Sequence, residues 1–172
     1  MSSPRPPADA VVALRSLERR YRGLFVGLEE DESPEDLAHR PGPDGSSALD
    51  HVVTATRTLA DLGRAVERAL VEDDPVLPPE LVDPAARAQP PASGAVEDAL
   101  DDLARTSKDL AARVEHVSAE QWGRPVRIAG RDASTTPLAV LWDATDAAVA
   151  HLKAADRALR HAREEARRQR GG

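Results

Sequence analysis

The sequence contains no cysteine, which excludes disulfide bonds, thiolate nucleophiles and cysteine-ligated zinc sites. Aromatic residues make up only 2% of its 172 residues, so its core has to be built from leucine, valine and alanine, a composition that suits closely packed helices. No apolar run approaches the roughly 20 residues of a transmembrane helix, and the N-terminal residues lack the apolar segment of a secretory signal. We therefore expect a cytoplasmic protein that makes no contact with membranes.

An excess of positive charge is also absent, because 30 aspartates and glutamates outnumber 23 lysines and arginines and the formal net charge is −7. Contacts with nucleic-acid phosphates need clustered lysine and arginine, so we expect no nucleic-acid partner. The length favours a single domain. We predict a flexible N-terminal tail over residues 1–7, one domain over residues 8–162, and a basic C-terminal helix end and tail over residues 163–172. Basic residues at the end of a helix complement its dipole.

Apolar residues recur every three or four positions in four long segments, which predicts four amphipathic helices. The segments cover residues 11–28, 47–70, 96–114 and 137–159. No segment shows the sustained alternation that is typical of a β-strand. Four helices of this length predict an all-α four-helix bundle.

Serine and threonine mark the predicted helix starts. Ser47 followed by Asp50 predicts a capping box, and Thr136 precedes a proline at the first helical position. Two short segments, "SPEDLAHRP" (33–41) and "SAEQWGRP" (118–125), each begin with a capping serine and end with Arg-Pro. The chain thus resembles two copies of helix, short turn, loop and helix.

A long proline-rich connection, residues 73–94, separates the second and third predicted helices. Its apolar residues Val76, Leu77, Leu81 and Val82 can be buried, which favours a packed crossover that lets the two helices run parallel. The alternative is a mobile linker between two helical hairpins.

Three segments carry a resemblance to a known family. "RPGPDGSSALDHVV", "VERALVEDDPVLP" and "VSAEQWGRPVRIAGRDASTTPLAVL" follow one another with the order and spacing found in the DinB-type superfamily. This group includes the N-domains of mycothiol-dependent maleylpyruvate isomerases and the bacillithiol transferases, and the similarity covers roughly residues 10–160. The resemblance implies an up-down-down-up four-helix bundle, often dimeric. It also implies a divalent metal, held by three histidines between the helices, that activates a thiol such as mycothiol or bacillithiol.

The sequence departs from the family at the implied metal ligands. Thr54 stands where the second helix of the family carries a histidine. The fourth helix should carry two histidines four positions apart, but here His151 is matched with Ala147, or in the neighbouring register Asp146 with Ala150. Zinc needs about three protein donors, and a neutral threonine hydroxyl is a poor one. We therefore predict that the metal site has been lost.

His51 offers an alternative ligand, since it lies three residues before Thr54 and projects within roughly 60° of it. Either Asp146 or Asp156 could complete a rearranged ligand set with His51 and His151. The set of His51, Asp146 and His151 would bind zinc, nickel or iron, and the enzyme would use mycothiol. Otherwise His151 is a histidine at the edge of the core that bonds a polar neighbour such as Thr54, and the former metal pocket persists as a small-molecule cavity. The candidate pocket residues are His51, Thr54, Asp146, Ala147 and His151.

Three arginines precede the fourth helix, whose N-terminus favours anions. Arg124, Arg127 and Arg131 could hold a carboxylate or phosphate of a ligand, although exposed loop arginines are usually only solvated. Trp122 and Trp142 are interpreted as packing anchors, with Trp142 on the apolar stripe of the fourth helix and Trp122 covering one end of the bundle.

Two main functional hypotheses follow. The first is a family member without a metal cofactor or an enzymatic reaction, which binds a small molecule or a protein partner and forms a homodimer. The second is a metal-dependent thiol transferase or isomerase with a rearranged ligand set. In an enzyme, His51, His151 and a carboxylate should converge on one point. A third hypothesis is a structural or regulatory protein without a pocket.

Overall fold

The computed structural model describes residues 5–26, 33–83, 91–132 and 134–170. These residues form seven α-helices: α1 (Pro7–Arg22), α2 (Pro34–His39), α3 (Ala48–Val71), α4 (Pro79–Val82), α5 (Val96–Val114), α6 (Ala119–Trp122) and α7 (Pro137–Arg170). They also form three short strands: β1 (Val76–Leu77), β2 (Val126–Ile128) and β3 (Ser134–Thr135). None of the helices in the described ranges combines the length and the apolar character needed to cross a bilayer.

The predicted capping residues occupy the helix starts. Ser47 accepts a hydrogen bond from the backbone N–H of Asp50 at 3.1 Å, and the Asp50 carboxylate accepts one from the backbone of Ser47 at 2.8 Å. Ser33, Ser118 and Thr136 each accept a hydrogen bond from the backbone N–H three residues later, at 3.2 Å in all three cases. Each cap satisfies a donor that the first turn of its helix leaves unpaired. The predicted caps are therefore confirmed.

Four long helices make most of the core. Both α1 and α3 pack against α5 and α7. Helices α1 and α5 run antiparallel, because Arg15 pairs with Glu115 at 2.7 Å while Arg22, at the other end of α1, pairs with Asp101. The buried side chains are chiefly leucine, valine and alanine, as the composition predicts.

Helices α3 and α5 run parallel. Val53 near the start of α3 shares a cleft with Asp98 near the start of α5, and Glu67 near the end of α3 pairs with Arg113 near the end of α5. Two parallel helices that follow one another in the chain need a connection that returns along the whole length of the first. The proline-rich segment between them provides it.

The described part of this connection is packed. Leu77 is fully buried and Leu81 and Val82 are half-buried against the core, whereas Val76 is 38% exposed. Strand β1 pairs in parallel with β2, and β2 pairs antiparallel with β3, so the connection is joined to the loop before α7. Residues 84–90 lie outside the described residues. The small sheet was not predicted, because strands of two or three residues are too short to show alternation.

Three predicted boundaries differ from the structure. Helix α1 ends at Arg22, and the predicted last residue, Leu28, lies outside the described residues. Within the predicted flexible tail, α1 already begins at Pro7, and the side chain of Arg5 is bound to α7. The last helix continues to Arg170, beyond the predicted apolar segment 137–159 and through most of residues 163–172, which were predicted as a helix end and tail.

The loop between α2 and α3 lies directly on α7. A Cβ atom added to Gly42 in this loop would lie 2.8 Å from the Cβ of Ala158, which is closer than real Cβ atoms approach one another. The close approach needs a glycine on one side and a small residue on the other. It places the loop residues beside the first turn of α3, where the candidate site lies.

Candidate functional site

Helices α3 and α7 bring two histidines together. His51 lies in the first turn of α3, and His151 lies near the middle of α7. Their Nδ1 atoms are 3.4 Å apart, and their ring centroids are 5.7 Å apart with the ring planes inclined by 36°. His51 is only 8% exposed and His151 is half-buried. The structure thus unites two of the five candidate pocket residues.

The loop before α3 covers the other side of His51. An Asp44 carboxylate oxygen lies 3.5 Å from His51 Nε2. This distance permits a charge interaction but is at the limit of a hydrogen bond, and no atom of the described residues accepts a hydrogen bond from the buried Nε2. One nitrogen of His51 therefore faces His151, and the other faces a carboxylate.

Burial lowers the pKa of both histidines below the ordinary value of 6.5. For His51, the charges of Asp44 and Asp50 partly offset this effect, while Arg157 adds to it. For His151, the neighbouring His51 lowers the pKa further. Both imidazoles are therefore neutral at pH 7, so one Nδ1 can donate a hydrogen bond that the other accepts.

The spacing of the pair matches two ligands of one metal ion, but the described residues place no third histidine, cysteine or carboxylate donor beside it. Two imidazole nitrogens bound to a tetrahedral zinc ion lie about 3.4 Å apart. Within the described ranges, however, no group of three or more histidine, cysteine, aspartate or glutamate residues is arranged to hold a metal ion. The residues present therefore do not fit the three-donor centre that the family resemblance implies.

The structure does not bring Asp146 to the histidine pair. Asp146 lies five positions before His151, which places it about 140° away around α7. Its carboxylate accepts two hydrogen bonds from the guanidinium of Arg5, at 2.9 and 2.6 Å. Asp156 lies five positions after His151, so it is rotated by a similar angle, and it pairs with Arg160. The rearranged set of His51, Asp146 and His151 is therefore not assembled.

Thr54 lines a cleft on α3. The cleft has a volume of about 200 Å³, and its other lining residues include Asp50 and Pro91. Val53 belongs both to this cleft and to a second one of about 380 Å³ between α3 and the start of α5. Ala147 lies half-buried on α7, one turn before His151. The expected bond between Thr54 and His151 stays a prediction.

The three arginines proposed as an anion site all have protein partners. Arg124 donates hydrogen bonds to two backbone carbonyls at the end of α3, at 3.1 and 3.0 Å. Arg127 pairs with Asp74 at 2.6 Å, and Arg131 lies 3.8 Å from Asp83. Binding of an external anion at these arginines would compete with those partners.

The two tryptophans have different environments. Trp122 is buried, as expected of a packing anchor. Trp142 is only half-buried, and the guanidinium carbon of Arg5 lies 3.7 Å from the centroid of its ring system. Trp142 Nε1 also donates a hydrogen bond to the backbone carbonyl of Arg5 at 3.3 Å. Sequence reasoning missed this contact, since no local pattern links residues so far apart in the chain.

We compared the chain with protein-family models, curated proteins and solved structures, and none of them matched. Function therefore has to be inferred from the geometry of the chain itself.

Proposed function

We propose that the chain is a cytoplasmic, DinB-like four-helix bundle that binds a small molecule and lacks the three-donor metal centre of the family. The helix packing supports this proposal. Helix α1 is antiparallel to α5, and α5 is parallel to α3. Helix α3 is antiparallel to α7, because Gly42, which precedes α3, contacts Ala158 while His51 meets the earlier His151. These directions correspond to an up-down-down-up order.

The main observation in support of small-molecule binding is the position of Thr54 in a cleft. Thr54 occupies the position of a family metal ligand, and it lines a cleft that adjoins a larger one through Val53. The larger cleft, about 380 Å³, lies at the lower end of the roughly 300–1,000 Å³ range of small-molecule sites. Asp98 and Asp102 line it, with Arg57 as the basic residue. The two carboxylates favour a ligand that carries an amino group.

A panel of small primary amines, with matched carboxylic acids as the comparison, tests this binding. We expect the amines to shift the backbone amide resonances of residues around Val53 and Asp98 in a saturable manner. Asp98→Asn should weaken the response, whereas Asp9→Asn, a change of the same kind on α1, should not. Absence of a saturable response, or an equal response in the Asp98→Asn protein, would contradict the proposal.

A second candidate function is a divalent-metal-dependent thiol transferase or isomerase. The observation that favours it is the 3.4 Å separation of the two Nδ1 atoms of His51 and His151. The metal content per chain distinguishes the two functions. It is measured on protein without a metal-binding tag, after incubation with excess zinc, nickel or iron. Near-stoichiometric metal that is lost in His151→Ala and retained in His161→Ala would favour the enzyme and justify assays with mycothiol. Absence of metal would favour the binding module.

The family resemblance also leads us to propose a homodimer. Light scattering of the purified protein over a range of concentrations tests this proposal directly. A mass of one chain at all concentrations would contradict it.

A further inference from the structure

One turn of α7 holds the arginine that precedes α1. The guanidinium of Arg5 donates to both carboxylate oxygens of Asp146, at 2.9 and 2.6 Å. Its carbon atom lies 3.7 Å from the ring centroid of Trp142. The indole Nε1 of Trp142 donates to the backbone carbonyl of Arg5 at 3.3 Å. Asp143 adds a second negative charge next to this contact.

These contacts match the features that distinguish arginine from other residues. The two-pronged pairing with Asp146 fits the planar fork of a guanidinium, and lysine cannot reproduce it. The indole ring interacts with the delocalised positive charge. Trp142 also donates to the main-chain carbonyl of the bound residue, so the site contacts the backbone as well as the guanidinium. Together, the contacts recognise an arginine residue within a chain.

The bound arginine can also be exchanged. The side chains of Arg5 and Asp146 are 51% and 56% exposed, and exposed ion pairs contribute little to folding stability. Only Pro6 separates Arg5 from the first residue of α1. Pro6 has φ −69° and ψ 149°, so the chain is extended at Pro6, between Arg5 and the start of α1, as in proline-rich peptide ligands. Release of Arg5 therefore does not require α1 to unfold.

We propose that Trp142, Asp143 and Asp146 form a binding site for arginine-bearing peptide segments, which Arg5 occupies within the same chain. An extended arginine segment of a protein partner displaces Arg5 and takes its place. This site goes beyond the small-molecule function proposed above. It lies on a different face of α7 from the histidine pair, and it shares no residue with the clefts along α3.

The test uses the full chain and the peptide acetyl-Arg-Pro-Pro-amide. The readout is the indole N–H resonance of Trp142, assigned with Trp142→Phe, and the buried Trp122 provides an internal reference. A tethered occupant competes at a millimolar effective concentration. We therefore expect Arg5→Ala to bind the peptide roughly threefold to tenfold more tightly than the wild type. The matching lysine peptide should bind roughly fivefold more weakly, because it lacks the fork.

Asp146→Asn in the Arg5→Ala background should abolish the response, while the Trp122 signal stays unchanged in every protein. A saturable shift that depends on Asp146 supports the proposal. It is overturned if Arg5→Ala shows no saturable shift, or if Asp146→Asn leaves the shift intact. Light scattering tests whether Arg5 occupies the site of its own chain. If the wild type is a dimer and Arg5→Ala is a monomer, Arg5 binds the site of a second copy, and this part of the proposal is overturned.

Discussion

Mild acid should destabilise this protein through its histidine pair. Burial holds the pKa of both His51 and His151 below 6.5, so the folded protein keeps them neutral where the unfolded chain protonates them. Asp44 and Asp50 raise the pKa of His51, and Arg157 lowers it, but burial is the largest effect. Protonation of both rings would place two positive charges at nitrogens that are 3.4 Å apart.

The sign and the size of the effect follow from proton linkage. As the pH falls through about 6.5, the unfolded chain binds protons that the folded chain does not, so the free energy of unfolding decreases. Each histidine contributes a slope of at most about 1.4 kcal/mol per pH unit, so the pair contributes at most roughly 2.7 kcal/mol per pH unit. The stabilisation is fully present above pH 6.5 and is lost progressively down to the folded pKa values. At this maximum slope, a fall of one pH unit would remove a large part of a typical free energy of unfolding of about 5–15 kcal/mol.

Urea unfolding, followed by circular dichroism from about pH 7.5 to about pH 5.5, measures this slope. His151→Gln should remove about half of it or more, because His51 then loses its neighbour as well. His161→Gln is the matched control for the loss of one histidine from α7, since His161 lies ten positions beyond His151, beside Glu165 and outside the pair. A free energy of unfolding that stays constant or rises towards acid pH would refute the reasoning. An equal slope in the His151→Gln protein would refute the assignment to the pair.

Three further substitutions are tested by chemical denaturation or thermal melting. Two of them examine packing and hydrogen bonding, and the third examines zinc binding. Gly42→Ala should destabilise the fold by about 1–3 kcal/mol, because the new Cβ would lie 2.8 Å from that of Ala158; an unchanged stability would contradict the close approach. Tyr21→Phe should cost about 1–2 kcal/mol, since the buried hydroxyl donates to a carbonyl of α7 at 2.7 Å, and a neutral effect would show that this bond contributes nothing. Ala147→His should create a histidine pair with His151 on one face of α7, so that zinc raises the melting temperature of this variant more than that of the wild type. An equal rise in the two proteins would argue against a lost ligand at this position.

The helices could be predicted because their signals are local. The capping box of Ser47 and Asp50 involves residues three positions apart, and the apolar stripes repeat within a single helix. The convergence of His51 and His151 is not local, and it was expected only for a rearranged ligand set in the helix arrangement that the family resemblance implies. The helices and their caps depend on local patterns, which the amino-acid sequence displays directly.

The parts that could not be predicted depend on contacts between distant residues. Strand β1 pairs with β2 although the whole of α5 lies between them in the chain, and neither strand is long enough to be recognised alone. The contact of Arg5 with Trp142 joins residues that are 137 positions apart. Asp146 is a different case, because its spacing of five from His151 already places it on another face of the helix. That candidate ligand could have been rejected from the sequence.

The two proposed functions use different parts of the molecule, and both leave the histidine pair buried. In both, the loop that carries Gly42 and Asp44 rests on α7 and keeps His51 buried, so acid sensitivity reports on a feature that they have in common. A metal centre needs a third donor, and in the register that matches His151 to a ligand, the family resemblance implies a histidine where the chain carries Ala147. Ligand binding in the clefts along α3 does not involve the pair at all. Metal content, and not pH dependence, therefore separates the two functions.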